Sequence, residues 1–329
     1  MMLRKSIWRT GILIICVGFA FNLMLSFSVF AKDFPSKPIQ LIIPFAPGGS
    51  HDAHARAFSG VAPQYFGVPV LSVIKSGGGT AIAAKYVAES KPDGYTLILG
   101  DQKTIITRAL LKPDLPYSYK SFVAIGRINY SPMMLIAHAD DPRDFNSLKD
   151  LIEYARKHPN KIVAPTGVGG AVDQLTIYPV FEKAGVKIKY IPISGGGPQF
   201  KAFLAKDVDI AVMFPSTLGD YVKQGKIKVL AVASPERMPQ YPDIPTMIEQ
   251  GYDHQFAMYR AIYGPKDIPA PRLKKLREYF EQTVNDKSFQ SIVKRMGERV
   301  IYMSGEDFEN KFMPAEVENM KEAIKIFKK

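Results

Sequence analysis

The sequence predicts an α/β protein folded as two lobes, and three observations carry that expectation. Short apolar runs alternate with helix-like stretches of roughly 10–15 residues, the pattern of strands joined by crossover helices in a largely parallel sheet. Four of the strand-to-helix junctions are rich in glycine. The two halves of the chain repeat one order of strand, glycine loop and helix, so two similar bodies are the natural reading.

The opening segment stands outside this pattern. Residues 1–10 carry Arg4, Lys5 and Arg9 and no acid, and the apolar run GILIICVGFAFNLMLSFSVF follows, ending in Val29-Phe30-Ala31. A basic start, an apolar centre and small residues at a cleavage site are the regions of a secretory signal peptide, so export with cleavage after Ala31 is expected. The alternative is a retained anchor, because the run is about long enough to span a bilayer. Lipid attachment at Cys16 is disfavoured by bulky Ile15. Loss of residues 1–31 leaves 298 of the 329 residues and takes the formal net charge from +12 to +9. It also removes the only cysteine and tryptophan, Cys16 and Trp8. Disulfides, thiolate zinc sites and cysteine nucleophiles are thereby excluded from the exported chain. The positive charge is spread out with no long basic run, which suits anionic small molecules, and no nucleic-acid partner is expected.

The elements follow in order. IQLIIPF reads as a buried strand and 50–62 as a helix; VPVLSVI is a strand and 80–89 a helix; PDGYTLILG is an Asp93-Gly94 turn leading into a strand. SFVAIGRI and PMMLIAHA are strands joined near residues 129–132. Residues 147–158 form a helix with Ser147 as N-cap and Asp150 three residues on. NKIVAPTG, KIKYIPI, VDIAVMF and KIKVLAVAS are strands separated by the helices VDQLTIYPVFEKAG, GPQFKAFLAKD and 216–225. QFAMYRAIYGP is a late strand, and the chain from Pro271 onward is mostly helical.

The glycine junctions are APGGSHD (46–52), KSGGGTA (75–81), TGVGGAVD (166–173) and ISGGGPQ (193–199). Glycine lets the backbone approach a ligand without a Cβ in the way. The first turn of each following helix offers unpaired N–H groups and the positive end of the helix dipole, a ready site for an anion. In open α/β sheets ligands sit beyond the carboxyl ends of the strands, where these junctions lie. Two junctions per lobe therefore converge on one cleft if the lobes face each other.

Enzyme signatures are weak. GVGGAV lacks the third glycine of a dinucleotide fingerprint at Val172, and there is neither a phosphate-loop lysine nor a G-x-S-x-G elbow. His51, Asp52 and His54 are close in sequence, but neighbouring helix positions point in different directions, so no metal or other cofactor is expected. Asp52 and Arg56 are spaced for an i,i+4 ion pair. Binding without chemistry is favoured.

The stretches PFAPGGSHDAHAR, SGGGTAIAAKYVAESKPDGYTLILGD, TGVGGAVDQL and SGGGPQFKAFLAKDVDIAVMF resemble the Bug family. These are the extracytoplasmic solute-binding subunits of tripartite tricarboxylate transporters. The likeness continues through GKIKVLAVASPERMPQYPDIPTMIEQGY and IYGPKDIPAPRLKKL, so it spans nearly the whole exported chain. It implies a type II periplasmic-binding-protein fold with two lobes, each a mainly parallel sheet flanked by helices. Lobe 1 would comprise 32–130, lobe 2 131–259, and 260–329 would return mainly to lobe 1. It also implies a periplasmic monomer that captures a carboxylate-bearing solute, closes by a hinge near 128–134 and 256–263, and hands the solute to a membrane permease pair.

Residue by residue, the resemblance assigns first-lobe contacts to Phe45, Gly49, Ser50, His51 and Asp52, with Gly78, Gly79 and Thr80. In the second lobe it assigns Thr166, Gly169, Gly170 and Ala171, then Gly196 and Gly197. Asp101 and Phe214 follow strands expected to end at the cleft. Departures bear on the ligand. The second loop reads G-G-G-T-A-I-A where the family commonly has G-A-G-G-N-I-G; Gly170 replaces a common Ser or Thr, and Asp173 and Gln174 stand near a usual His. Asp101 replaces a small polar residue. If ionised in the cleft, it would repel a second carboxylate and favour a cationic or hydroxylated group; otherwise it is a solvated loop acid. Presentation of the ligand to a sensor kinase and a periplasmic enzyme acting on carboxylates are the alternatives to transport.

Overall fold

The apolar run IQLII forms β1 (Ile39–Ile43), the strand around which the first lobe is built, with only Gln40 exposed. In the computed structural model, residues 34–167 and 172–325 are described. The expected leader, residues 1–31 with its cleavage site, and Gly169, Gly170 and Ala171 lie outside the described residues. Chain contacts separate 1–36 from 37–329, and every element below belongs to the second unit.

Parallel to β1 run β2 (Val70–Ile74) on one side and β3 (Thr96–Gly100) on the other. Helix α1 (Ser50–Val61) and the short α2 (Pro63–Phe66) connect β1 to β2, and α3 (Ala81–Ala88) connects β2 to β3. After β3 come a π-helical turn over Lys103–Thr107 and α4 (Arg108–Leu111), and then β4 (Phe122–Pro132) leads away towards the second lobe. The return strand β10 (Ala257–Pro265) inserts between β3 and β4, antiparallel to both, and β11 (Met303–Ser304) closes the far edge. The sheet is therefore mixed. One strand must leave the lobe and another re-enter it, and two such neighbours run in opposite directions.

The second lobe is built from β5 (Met134–His138), α5 (Leu148–Lys157), β6 (Val163–Thr166), α6 (Val172–Lys183), β7 (Lys189–Pro192), α7 (Gly196–Leu204), β8 (Ile210–Met213), α8 (Pro215–Lys223) and β9 (Ile227–Val232). β5 lies antiparallel between β8 and β9, while β6 and β7 pair in parallel. Asp209 joins the two sets: its N–H donates to Val163 O (2.9 Å) and its carboxylate accepts from Val163 N (2.6 Å). Strand alternation feeds two cores. Leu135 and Ala137 face one cluster with Ile210 and Val212, whereas Met134 and Ile136 face the other with Ala211 and Met213. Ser147 caps α5 as the sequence indicates, accepting from Asp150 N at 3.1 Å.

The C-terminal segment adds α9 (Ala270–Asn285), α10 (Lys287–Arg295), the short α11 (Gly305–Asp307) and α12 (Met313–Lys325). α12 packs on the first lobe, with Met313, Val317 and Met320 in the same core as Tyr259 and Tyr263 of β10. The chain crosses between lobes at two adjacent points. Met133 N donates to Phe256 O (3.4 Å), and Met133 O accepts from Ala233 N (2.8 Å), so the crossings are tied together. Strands β1, β3, β6, β7 and β8 all end where the lobes meet.

Candidate functional site

Beyond β1 the chain turns through Gly48, whose φ of 79° suits glycine, into α1. Asp52 fixes this loop: its Oδ2 accepts from Gly48 N (3.0 Å) and its Oδ1 from Arg56 Nε (2.8 Å). The first amide of α1 to find a carbonyl one turn back is Ala53 N, on Gly49 O at 3.1 Å. The preceding amides have no partner within the helix and are free for an anion. The second lobe repeats the device. Asp173, in the first turn of α6, accepts from Gly167 N (2.6 Å) and from Gln199 Nε2 (3.1 Å) through Oδ2. A carboxylate thus locks a glycine loop to its helix in each lobe.

The first loop touches the fourth glycine junction, 193–199, across the cleft. A Cβ on Gly197 would lie 2.5 Å from Pro47 O and 3.2 Å from Gly49 N, so the approach of the lobes depends on the missing side chain. Ser50 Oγ in the first lobe meets Ser216 Oγ in the second at 2.6 Å. The lobes meet around a cavity of about 60 Å³, set within about 600 Å³ of atom-free space that includes open solvent. Its wall combines Phe45, Gly49, Ser50 and His51 from the first loop and Asp101 and Lys103 from the end of β3. The second lobe contributes Gly167, Val172, Asp173, Gly195, Gly196, Gln199, Val212, Met213, Phe214 and Thr217, and Met133 and Met258 come from the crossings.

The charges are buried. Lys103 is 7% exposed, and burial lowers its ammonium pKa while Asp173 and Asp101 pull it back up. Burial raises the carboxyls of Asp101 and Asp173, each partly offset by hydrogen bonds and by Lys103. His51 stacks near Phe45 (4.2 Å between centroids) and is pushed well below the usual histidine range by burial and by the Arg260 charge, so it is neutral. Behind this wall, fully buried Arg260 pairs with Glu298 (2.9 Å), bonds Asn129 Oδ1 (3.1 Å) and donates to Ser50 Oγ. Glu298 also accepts Ser216 N (3.1 Å), which ties the first turn of α8 to the first lobe. The guanidinium lies 4.6 Å from the Phe214 ring centroid.

Such a cavity can hold an anion with Lys103 and helix amides against an apolar wall. It does not assemble a serine nucleophile: the described bonds of Ser50 Oγ go to Ser216 and Arg260, while His54 Nδ1 contacts the Ser50 carbonyl (2.8 Å). His51, Asp52 and His54 turn to separate partners, and no group of three or more metal-ligating side chains is assembled among the described residues.

The sequence model of the tripartite tricarboxylate transporter family receptor matches residues 55–328. The chain belongs to this receptor family. Among curated relatives, a UPF0065 protein of Bordetella pertussis is 32% identical over 256 residues, covering 77% of this chain and 78% of the relative. Protein BugT of the same organism is 28% identical over 263 residues, 79% of this chain and 80% of that one. Among solved structures, the periplasmic binding protein BugD superposes with a TM-score of 0.82 at 30% identity, covering 90% of this chain and 98% of BugD. An R. palustris protein solved with adipate gives a TM-score of 0.82 at 25% identity, covering 89% and 98%. The two-lobed periplasmic-binding-protein fold is thereby established for this receptor.

The receptor distributes the sequence candidates unevenly. Phe45, Gly49, Ser50, His51, Asp101, Gly196 and Phe214 line the cavity. Asp52 does not; it is the loop lock behind the wall. Gly197 supplies the contact between lobes. Thr166 is buried at the end of β6, where its hydroxyl donates to Gly167 O at 3.3 Å, outside the lining. Gly78, Gly79 and Thr80 also lie outside it: all three have positive φ (57°, 64° and 87°), and the loop folds onto Ile82 and the Arg108 guanidinium. Asp101 is fully buried, so it is no solvated loop acid. Lys103, Asp173, Gln199, Met133, Met258 and Arg260 were not among the candidates. Lys103 carried a usable signal, being the first basic residue after a strand expected to end at the cleft. Arg260 carried none, because its meaning comes from Glu298, distant in sequence.

Proposed function

We propose that this receptor captures a small carboxylate-bearing solute between its lobes in the periplasm, without altering it, and delivers it to the membrane permease subunits of a tripartite transporter. The observation that carries this reading is buried Lys103 sharing a closed interlobe cavity with the unpaired first-turn amides of α1. A carboxylate entering there gains a counter-charge and N–H donors already in place, which lowers the ordering cost of binding. The adipate held by the R. palustris relative supports a carboxylate as the ligand class. Entry requires the lobes to part, so the Ser50–Ser216 bond and the Pro47–Gly197 contact belong to the closed, loaded state and break on release.

A thermal-shift screen of carboxylic acids on the purified exported chain, with mass spectrometry of the recovered acid, tests the proposal. Saturable stabilisation by an acid recovered unchanged supports capture. Conversion of the acid, or stabilisation by no carboxylate at all, would refute it.

A further inference from the structure

We propose that the solute carries an N–H-bearing nitrogen, such as an ammonium, as well as its carboxylate, and that Asp101 selects for it. The inference rests on the carboxylate reading above and narrows it.

Asp101 is fully buried at the end of β3 and lines the cavity. Its two oxygens are used differently. Oδ1 accepts from Thr104 N at 2.7 Å and so caps the turn that follows, which is a structural role. Oδ2 has no hydrogen-bond partner among the described residues. The group facing it is His51 Nε2 at 3.6 Å, which is also without a hydrogen bond. A buried carboxylate oxygen without a donor is strongly destabilising, and native proteins rarely leave one unless something else completes it. In a cavity that exists to be filled, a donor on the ligand completes it.

The charge balance points the same way. Among the described lining residues Asp101 and Asp173 share one cation, Lys103; Arg260, behind the wall, also acts on Asp101 but is paired with Glu298 at 2.9 Å. His51 is neutral. A dicarboxylate would add two negative charges beside two buried acids, whereas a zwitterion places its carboxylate by Lys103 and the α1 amides and its nitrogen by Asp101. Asp173 supplies field rather than contact through Oδ2, which is already shared between Gly167 N and Gln199. The adipate-bound relative does not decide the matter, because the selecting group proposed here is a side chain of this chain.

The test is isothermal titration of the exported chain with matched pairs of probes: adipate against 6-aminohexanoate, succinate against 4-aminobutanoate, and butanoate against 2-aminobutanoate. In at least one pair the nitrogen-bearing acid binds roughly tenfold tighter or better, the worth of a hydrogen bond to a charged group. Asp101→Asn keeps the Oδ1 cap and cuts that preference to about threefold or less. Tighter or equal binding of the nitrogen-free acid in every pair overturns the inference while leaving carboxylate capture intact. An unchanged preference in a folded Asp101→Asn protein overturns the role of Asp101. Should that variant fail to fold, the wild-type ratios alone decide. Binding of no acid in either series overturns the inference together with the reading it rests on.

Discussion

Replacing Gly197 by alanine puts one methyl group between the lobes. That carbon would sit 2.5 Å from Pro47 O and 3.2 Å from Gly49 N, whereas ordinary contact begins at 3.4 Å. Both atoms are backbone, in a loop that Asp52 locks through Gly48 N, so local yielding is limited and the overlap is relieved by parting the lobes. Overpacking of this kind costs about 1–3 kcal/mol. Here it falls on the closed state alone, so the ligand should bind roughly 5- to 150-fold more weakly. The open state should not suffer, because Gly197 lies in the first turn of α7 without a positive φ, where alanine is the better helix former. Gly60→Ala in α1 is the control, since nothing lies within 4 Å of its Cβ position, its φ is not positive and it is outside the cavity lining. Titration calorimetry with the tightest acid gives the affinities, and small-angle scattering reads whether the liganded variant stays more open. Wild-type affinity for Gly197→Ala, or an equal loss for Gly60→Ala, would refute the contact-limited closure.

Glu298→Gln leaves Arg260 buried without its counter-charge and should destabilise the protein by about 3–5 kcal/mol in urea unfolding; a loss under about 1 kcal/mol would show the pair to be dispensable. Burial alone would raise the Glu298 carboxyl, but the Arg260 charge and its hydrogen bonds outweigh this and hold it well below the usual carboxylate range. Its folded pKa is depressed, so its stabilisation is full above the unfolded value of about 4.3 and lost as pH falls towards the folded one; the gap between wild type and Glu298→Gln should therefore shrink on acidification. Asp101 is shifted the other way by burial, so the folded state is penalised as pH rises past its unfolded range. Asp101→Asn should accordingly stabilise the unliganded protein at neutral pH by about 1–3 kcal/mol, read from denaturant midpoints. Thr80 holds a left-handed φ of 87°, and its buried hydroxyl has no partner among the described residues. Thr80→Gly should raise the unfolding free energy, read from denaturant midpoints, by about 1 kcal/mol, and a clear loss would mean that the side chain is needed.

How much of this was legible in the sequence depends on the range of the interaction. β8 is buried throughout and reads as the unbroken apolar run IAVM, and β1 as IQLII interrupted only by exposed Gln40, so their positions were visible. The glycines of the first and fourth junctions were read as places for the backbone to approach a ligand; the contact of Gly197 with Pro47 across the lobes was not foreseen. The direction of β10 was not visible. Its antiparallel insertion follows from the chain leaving and re-entering the first lobe, which no local pattern encodes. The second junction lies outside the cavity lining for a local reason, because the positive φ values of Gly78, Gly79 and Thr80 turn the loop onto Ile82 and Arg108. Lys103 was legible only as the first basic residue after a strand expected to end at the cleft; the π-helical turn after β3, which places it in the cavity wall, was not. Arg260 and Glu298 are single charges in unrelated segments until the fold joins them.

A crystal structure of the exported chain with the tightest-binding acid goes furthest towards deciding whether this cavity is a carboxylate-capture site. The acid should lie between the closed lobes, its carboxylate within hydrogen-bond distance of Lys103 Nζ and of the Ser50 or His51 amide. An acid bound elsewhere on the surface, with solvent alone beside Lys103 in a closed cavity, would contradict it.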